Sequence, residues 1–340
     1  MAKKKYNVAV LGATGMVGKE MMKVLEERKF PIDKFIPLAS SRTAGTKVTF
    51  RGKKFTVLEA KPESFDGVDI GLFSAGAKPS EILAPEAAKR GAVVIDNTSF
   101  FRMDPNVPLV VPEVNAYDLK WHKGIIANPN CSTAQMVLAL KPIHDVAKIK
   151  RVVVSTYQSV SGWGKEAVEE MYSQYKAILA GKKIPKVKFL PRQIAFNVIP
   201  QIDSFISNGY TKEEMKMVNE TKKIMGDPNI KVTATTVRVP VAIGHSESVN
   251  IETERKLSIK QVRELLSNFP TVKVVDDPAK GIYPTPIDCV GSNDTYIGRI
   301  REDISVPNGI DMWIVSDNLR RGAALNAVLI AERMIEEGLL

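Results

Sequence analysis

Short apolar runs separated by amphipathic stretches fill the first hundred residues. Tyr6–Leu11 has the make-up of a brief buried strand, and Met16, Val17, Met21, Val24 and Leu25 recur at helical spacing, which predicts a helix over 16–28. Further strands are expected at 35–39, 68–73 and 92–95, with a helix at 79–90. Strand alternating with helix predicts an α/β fold built on a doubly wound parallel sheet. Past about residue 130 the texture changes, with strands at 151–158, 232–241, 248–254, 297–302 and 312–316 and helices near 164–180, 211–225, 258–268 and 320–337. Longer strands with fewer helices between them predict a mixed sheet in a second, α+β domain. The expected division is therefore 1–130, then 131–318, then a C-terminal helix at 319–340 that packs back on the first domain. The Pro-containing stretch Lys182–Pro191 reads as a mobile insertion, and the sequence carries no internal repeat.

Composition narrows the class. The chain has 340 residues, 44% of them apolar, and 48 Lys and Arg against 38 Asp and Glu, a net charge of +10. That length suggests roughly two domains with ordinary cores, and it excludes disordered, collagen-like and disulfide-rich classes. Apolar runs fall far short of the roughly 20 residues a membrane helix needs. The Lys3-Lys4-Lys5 start leads into an apolar stretch broken at Gly12, which does not read as a signal peptide, so a cytoplasmic protein without membrane contact is expected. Three His and two Cys are a thin supply for a metal site, and no metal is expected. The basic clusters, Lys3–Lys5, Arg51–Lys54 and Lys182–Lys188, lack interleaved aromatics, so the charge reads as a solvated surface with sites for small anions and not as a nucleic-acid face.

Two segments carry chemistry. The first is GATGMVG, Gly12–Gly18, between the first strand and the first helix. Gly12 permits the tight turn, Gly15 the approach of backbone to a pyrophosphate, and Gly18 close packing of helix on strand, as in Rossmann-type dinucleotide sites. Gly12, Thr14, Gly15, Met16, Val17 and Gly18 are the expected cofactor contacts. The second strand runs into Ser40-Ser41-Arg42, whose hydroxyls and guanidinium suit a 2′-phosphate, whereas an acidic residue there would select NAD; NADP is the expected cofactor.

The second segment is IIANPNCST. Cys131 begins a helical pattern, where the dipole and open backbone N–H groups favour a thiolate, and Asn130 could help hold a developing oxyanion. Cys289 lacks such a setting and reads as structural. Alternation over 232–241 places Ala234, Thr236 and Arg238 on one strand face and Val237, Val239 and Val241 on the other, so Arg238 is expected to point away from the apolar side. A turn through Ile243-Gly244 then presents His245 near it, a pairing suited to a carboxylate and a proton.

These residues together resemble aspartate-β-semialdehyde dehydrogenase over nearly the whole chain. The resemblance rests on GATGMVG, FSAG at 73–76, DNTSFFRMDPNVPLVVPEVN at 96–115, NPNCST, STYQSVSGWG at 155–164, IAFNVIPQID at 194–203, RVPVAIGHSESV from Arg238 and VSDNLRRGAALN at 315–326. N-acetyl-γ-glutamyl-phosphate reductase, the alternative alongside other acyl-phosphate or acyl-CoA reductases, carries a Gly-Cys pair where this chain has Asn130-Cys131. The resemblance implies NADPH-dependent conversion of L-aspartyl 4-phosphate to L-aspartate 4-semialdehyde and phosphate by a homodimer or homotetramer. It implies Cys131 as the nucleophile that forms an acyl-thioester and His245 as acid and base at the hemithioacetal oxygen. Gln158 would orient the thioester and Arg238 would pair with the α-carboxylate. Glu213, or Glu214 one alignment step away, would bind the α-amino group; Lys216, Arg102 and Asn130 would bind phosphate; Ser161, Gly162 and Asn318 would line the nicotinamide side. Thr236 and Trp163 depart from the family pattern, Trp163 standing where a small residue is usual, and the 182–191 segment is shorter than in many relatives.

Overall fold

The computed structural model describes residues 4–340, so Lys3 of the N-terminal basic cluster lies outside the described residues. The chain forms two compact units, Met1–Asn130 with Ala323–Leu340, and Cys131–Gly322.

In the first unit the strands are β1 (Tyr6–Leu11), β2 (Ile32–Ala39), β3 (Lys47–Phe50), β4 (Lys53–Thr56), β5 (Leu58–Glu59), β6 (Ile70–Phe73), β7 (Val93–Asp96) and β8 (Ile125–Ala127), with helices α1 (Met16–Glu27), α2 (Ala77–Lys89) and α3 (Pro112–Asn115). Six of the strands form one sheet in the order β5-β2-β1-β6-β7-β8, every pairing parallel. Its apolar strand faces, among them Val8, Val10, Ile70, Leu72 and Ile95, are fully buried with Met21, Val24 and Leu25 of α1. Strands β3 and β4 make a separate hairpin absent from the sequence expectation. Its two-residue turn, Arg51-Gly52, has positive φ at both positions (48° and 72°), the geometry that matches hairpin twist.

The second unit opens with α4 (Cys131–Ala147). It continues through β9 (Ile149–Gln158), α5 (Lys165–Leu179), α6 (Lys212–Met225), β10 (Lys231–Arg238), β11 (His245–Thr253), α7 (Ile259–Ser267), β12 (Val272–Val274), α8 (Pro286–Cys289), β13 (Thr295–Asp303) and β14 (Gly309–Ser316). Its six-stranded sheet runs β10-β9-β11-β14-β13-β12 and is mixed: β11 is antiparallel to both β9 and β14, while β10 is parallel to β9. One face, carrying Val152, Val154, Val249, Ile251, Met312 and Ile314, is buried beneath the helices, and α4 lies directly on it. The other face carries Tyr157 and Trp313, whose rings are 5.2 Å apart.

Three expectations need correction. Arg238 does not point away from the protein interior: the Ala234, Thr236, Arg238 face of β10 is the buried one, because α6 covers it, and Val237 is only half-buried. β11 begins at His245, three residues before the expected 248, so the turn through Ile243-Gly244 delivers His245 as the first residue of the strand. The segment 182–191 has no regular structure, yet its end is anchored, since the buried Glu170 carboxylate accepts the backbone N–H groups of Lys188, Phe189 and Leu190.

The second passage of the chain between units falls at 322/323, four residues beyond the position read from sequence. Residues 319–322 stay with the second unit because Asp317 holds them: its carboxylate accepts from Leu319 and Arg320, and its carbonyl from Gly322. A π-turn over Arg320–Ala324 follows, and α9 (Leu325–Glu336) completes the first unit. Gly322 lies flat against the start of α4, where a Cβ would come within 2.6 Å of the Cys131 Cβ and 3.0 Å of its Cα. Gly322→Ala is expected to cost about 1–3 kcal/mol by overpacking and to reduce Cys131 reactivity, read by thermal unfolding together with thiol alkylation.

Candidate active site

A row of side chains crosses four adjacent strands at one edge of the second unit's sheet. Arg238 is paired in register with Gln158, Ser246 with Tyr157 and His245 with Ser316. Gln158, Arg238 and His245 are therefore neighbours, all on the helix-covered face, and each is at most 3% exposed. Cys131 is the first residue of α4, which lies on that face, and is partly exposed. One turn along α4, the Gln135 side chain accepts from the Ser316 hydroxyl at 2.5 Å and donates to the His245 carbonyl at 3.4 Å, tying the helix to the same strand ends.

Each charged group in the cluster is held by others. The Arg238 Nη1 donates to the Ser159 carbonyl at 2.6 Å, and its guanidinium lies 5.8 Å from the Trp163 ring centre, a cation–π contact. Trp163 thus flanks Arg238. Burial pushes the Arg238 guanidinium below its ordinary range, while the charges of Glu213 and Cys131 pull the other way. Gln158 donates from Nε2 to Glu213 at 3.1 Å, and the Lys216 ammonium reaches Glu213 at 3.1 Å and Asp203 at 3.0 Å. Burial lowers the Lys216 pKa, but these two carboxylates outweigh it and hold the ammonium above its usual range.

Glu213 and Glu214 differ in their bonding. Glu214 closes a capping box with Thr211 at the start of α6 and accepts the Thr236 N–H at 2.9 Å, so only Glu213 is turned to the Gln158 and Lys216 side. Thr236 is buried in the same patch, its hydroxyl 3.5 Å from that of Thr211.

Around His245 the partners are neutral. The Ser159 backbone N–H donates to Nδ1 at 3.0 Å, and the Ser159 hydroxyl is also 3.0 Å from Nδ1. Asn318 accepts from that hydroxyl at 3.0 Å and from the Gly244 N–H at 2.9 Å, and donates to Ser161 at 3.0 Å. Gly162 has no room for a side chain: a Cβ there would lie 2.9 Å from Arg238 Nη1 and 3.4 Å from His245 Nε2. His245 is completely buried, and burial, followed by the Arg238 charge, lowers its pKa to about 3. Cys289 is also buried, its thiol pushed up to about 12 by burial, which fits a structural role.

The remaining expected residues belong to the first unit. Gly12 has φ +89°, a conformation side chains resist, and its N–H donates to Leu38. A Cβ on Gly18 would overlap the Gly12 carbonyl, so the turn and helix can touch only as glycines. Gly15 caps α1 without a side-chain bond, and α1 has no acidic residue in its first turn, leaving its N-terminal amides for an anion. Thr14, Met16 and Val17 are half-buried in this turn, and Ser40, Ser41 and Arg42 lie exposed directly after β2. Arg102 is buried, its guanidinium donating to the carbonyls of Asn128 and Asn97 at 2.9 Å each, and Asn130 is buried as the last residue before α4. The sequence reading passed over Ser159, Gln135, Asp203 and Gly322; the motifs STYQSVSGWG, IPQID and LRRGAALN contain three of them, but only the fold reveals what they touch.

Two family models match the chain: "Semialdehyde dehydrogenase, NAD binding domain" over residues 7–122 and "Semialdehyde dehydrogenase, dimerisation domain" over residues 140–321. The aspartate-semialdehyde dehydrogenase of Aquifex aeolicus is 56% identical over 338 residues, covering 98% of this chain and 99% of that protein. The Bacillus subtilis aspartate-semialdehyde dehydrogenase is 57% identical over 336 residues, covering 96% and 97%. Among solved structures, Vibrio cholerae aspartate semialdehyde dehydrogenase II complexed with ASA superposes with a TM-score of 0.96 at 47% identity, covering 98% of this chain and 99% of that one. The Candida albicans enzyme with NADP gives 0.79 at 26% identity, covering 99% and 100%. With both domains matched and relatives this similar along their full length, the chain belongs to the aspartate-semialdehyde dehydrogenase family.

Proposed function

We propose that this protein converts L-aspartyl 4-phosphate and NADPH to L-aspartate 4-semialdehyde, phosphate and NADP, reversibly, through an acyl-thioester on Cys131. The observation that carries this reading is the gathering of Cys131, Gln158, Arg238 and His245 at one sheet edge. An acyl phosphate is reactive enough to acylate a thiolate, and the resulting thioester accepts hydride where a carboxylate would not, so one hard reduction becomes two easier steps.

Arg238, with one nitrogen spent on the Ser159 carbonyl, still has donors for the substrate α-carboxylate, and its planar fork suits that group. Glu213 takes the α-ammonium, Gln158 orients the acyl group and His245 faces the reacting oxygen. Lys216, Arg102 and Asn130 take the phosphate. Ser161, Gly162 and Asn318 line the nicotinamide side. A nicotinamide cofactor supplies or accepts the hydride when bound. The glycine-only turn and the uncapped start of α1 fit its pyrophosphate, and Ser40, Ser41 and Arg42 support a 2′-phosphate, hence NADP over NAD.

The basic assembly is a homodimer. Support comes from the half-exposed Tyr157 and Trp313 on the second unit's outer sheet face and from the dimerisation-domain match. A reducing, cytoplasmic setting suits a thiol nucleophile; among the described residues no helix is long and apolar enough to cross a membrane.

Cys131→Ala is expected to abolish phosphate-dependent reduction of NADP by aspartate semialdehyde; retained turnover would rule out the thioester route. Arg238→Lys loses the planar fork, so KM for the semialdehyde should rise on the order of tenfold or more, at about 1.4 kcal/mol per decade. Steady-state kinetics that leave KM unchanged would remove Arg238 from carboxylate binding. With saturating semialdehyde and phosphate, kcat/KM should favour NADP over NAD and Arg42→Ala should narrow the gap; a preference for NAD would overturn the role given to that loop.

A further inference from the structure

We propose that Asp203 is a positioning residue for phosphate: its carboxylate holds the Lys216 ammonium from the side away from Glu213 and so fixes the direction of the N–H that Lys216 has left for the anion. The inference rests on the activity proposed above, with Lys216 as a phosphate ligand, and adds the residue that aims it.

An ammonium carries three donors on a flexible four-carbon stem, and one tether leaves it free to swing. Lys216 has two tethers of different origin. Glu213, three residues back on α6, accepts at 3.1 Å, and Asp203 accepts at 3.0 Å from outside the helix. Two of the three donors are spent in this way, which leaves the third with a set direction. Glu213 is divided further, since its other oxygen accepts from Gln158 at 3.1 Å and it is the acceptor assigned above to the α-ammonium. Once a substrate ammonium shares Glu213, Asp203 is the carboxylate that still holds Lys216 in place.

The chain around Asp203 is pinned on both sides. Ile199 and Arg238 form a two-way backbone bridge, each N–H donating to the other's carbonyl, at 2.9 and 2.8 Å. Beyond Asp203, the Ser204 carbonyl accepts the Lys212 N–H at 2.9 Å, and Phe205 bridges Thr211. Residues 199–211 therefore run from the Arg238 end of β10 to the first turn of α6, with Asp203 between the two attachments. Asp203 itself has φ +68°, a left-handed conformation that Asp and Asn tolerate better than most residues with side chains. Its Oδ1 accepts the Ser204 N–H at 2.8 Å, which turns Oδ2 to Lys216. Burial raises the Asp203 pKa, but the Ser204 N–H and the Lys216 ammonium outweigh it and hold the carboxyl below its usual range, so the pair is ionised at neutral pH. The Lys216 and Asp203 side chains are 25% and 36% exposed, partly withdrawn from water and unlike a loose surface contact.

A carboxylate beside an anion's ligand also repels the anion, and the two effects have opposite signs. If Asp203 aims Lys216, its loss weakens phosphate binding; if it only repels, its loss strengthens it.

The test uses the full-length protein with aspartate semialdehyde, NADP and inorganic phosphate. Asp203→Gly removes the carboxylate yet suits the backbone at φ +68°, and Asp203→Asn keeps an oxygen that can accept from Lys216 without the charge. Asp203→Gly is expected to raise KM for phosphate about fivefold or more, while KM for semialdehyde at saturating phosphate stays within about twofold. Asp203→Asn should fall between, with phosphate KM raised about two- to threefold. In a Lys216→Ala background, where nothing remains to be aimed, Asp203→Gly should move phosphate KM by less than about twofold. A phosphate KM unchanged in Asp203→Gly or lowered in either variant overturns the proposal. So does an undiminished effect in the Lys216→Ala background, or a parallel rise of both KM values in both variants, the mark of a structural role alone. If Lys216→Ala by itself leaves phosphate KM unchanged, the phosphate role of Lys216 fails and the proposal with it. If Lys216→Ala raises that KM and Asp203→Gly does not, Lys216 keeps its role and only that of Asp203 falls.

Discussion

Between β9 and β11 the antiparallel register decides which side chains meet. Side chains alternate across a strand, so a slip of one residue would turn either Gln158 or His245 from the helix-covered face to the outer one. The parallel pairing of β10 with β9 then sets Arg238 beside Gln158, and β14 brings Ser316 to Gln135 of α4. Backbone ladders thus do the aiming. Apolar rows further down the same strands, Val152 and Val154 on β9 and Val249 and Ile251 on β11, hold the register by burial, and the polar row at the strand ends inherits it.

Placing Arg, Lys, Glu and His together away from water is costly unless each finds a partner. Here Glu213 serves Gln158 and Lys216, Asp203 takes the other side of Lys216, and Ser159 supplies a carbonyl to Arg238 and an amide to His245. One residue therefore fixes two functional side chains through its backbone, by groups that every replacement of Ser159 except proline would keep. The Nε2 of His245 is the ring atom left without a partner among the described residues; an unpaired buried polar group costs about 1–3 kcal/mol. Donors already in place need no reorganisation as charge develops.

Much of this was legible in the sequence because it is local. The strand, glycine turn and helix of residues 6–27, and the helix beginning at Cys131, follow from periodicity and from glycines that only their conformation explains. What was not legible is which face of a strand a helix will cover: alternation separated Ala234, Thr236 and Arg238 from Val237 and Val239 correctly but assigned the buried side to the valines, since nothing local announces that α6 packs on the polar set. Glu213 and Glu214 could not be told apart by alignment, yet the capping box that consumes Glu214 begins with Thr211 three residues earlier and is a sequence signal. Arg51-Gly52 between two alternating runs was a hairpin signal hidden inside a basic cluster. Asp203, Gln135 and Gly322 act through partners 13 to 191 positions away, beyond the reach of any local pattern.

The burial of His245 also bears on acid tolerance. In the unfolded chain its imidazole takes up a proton below about pH 6.5, whereas the folded environment delays protonation to about pH 3. Its folded pKa is the lower of the two, so stability present above pH 6.5 erodes as pH falls between those values, by up to about 1.4 kcal/mol per pH unit. Acid therefore pulls on the fold at the strand ends that carry the chemistry, and burial beside the Arg238 charge makes the native state the form that refuses the proton.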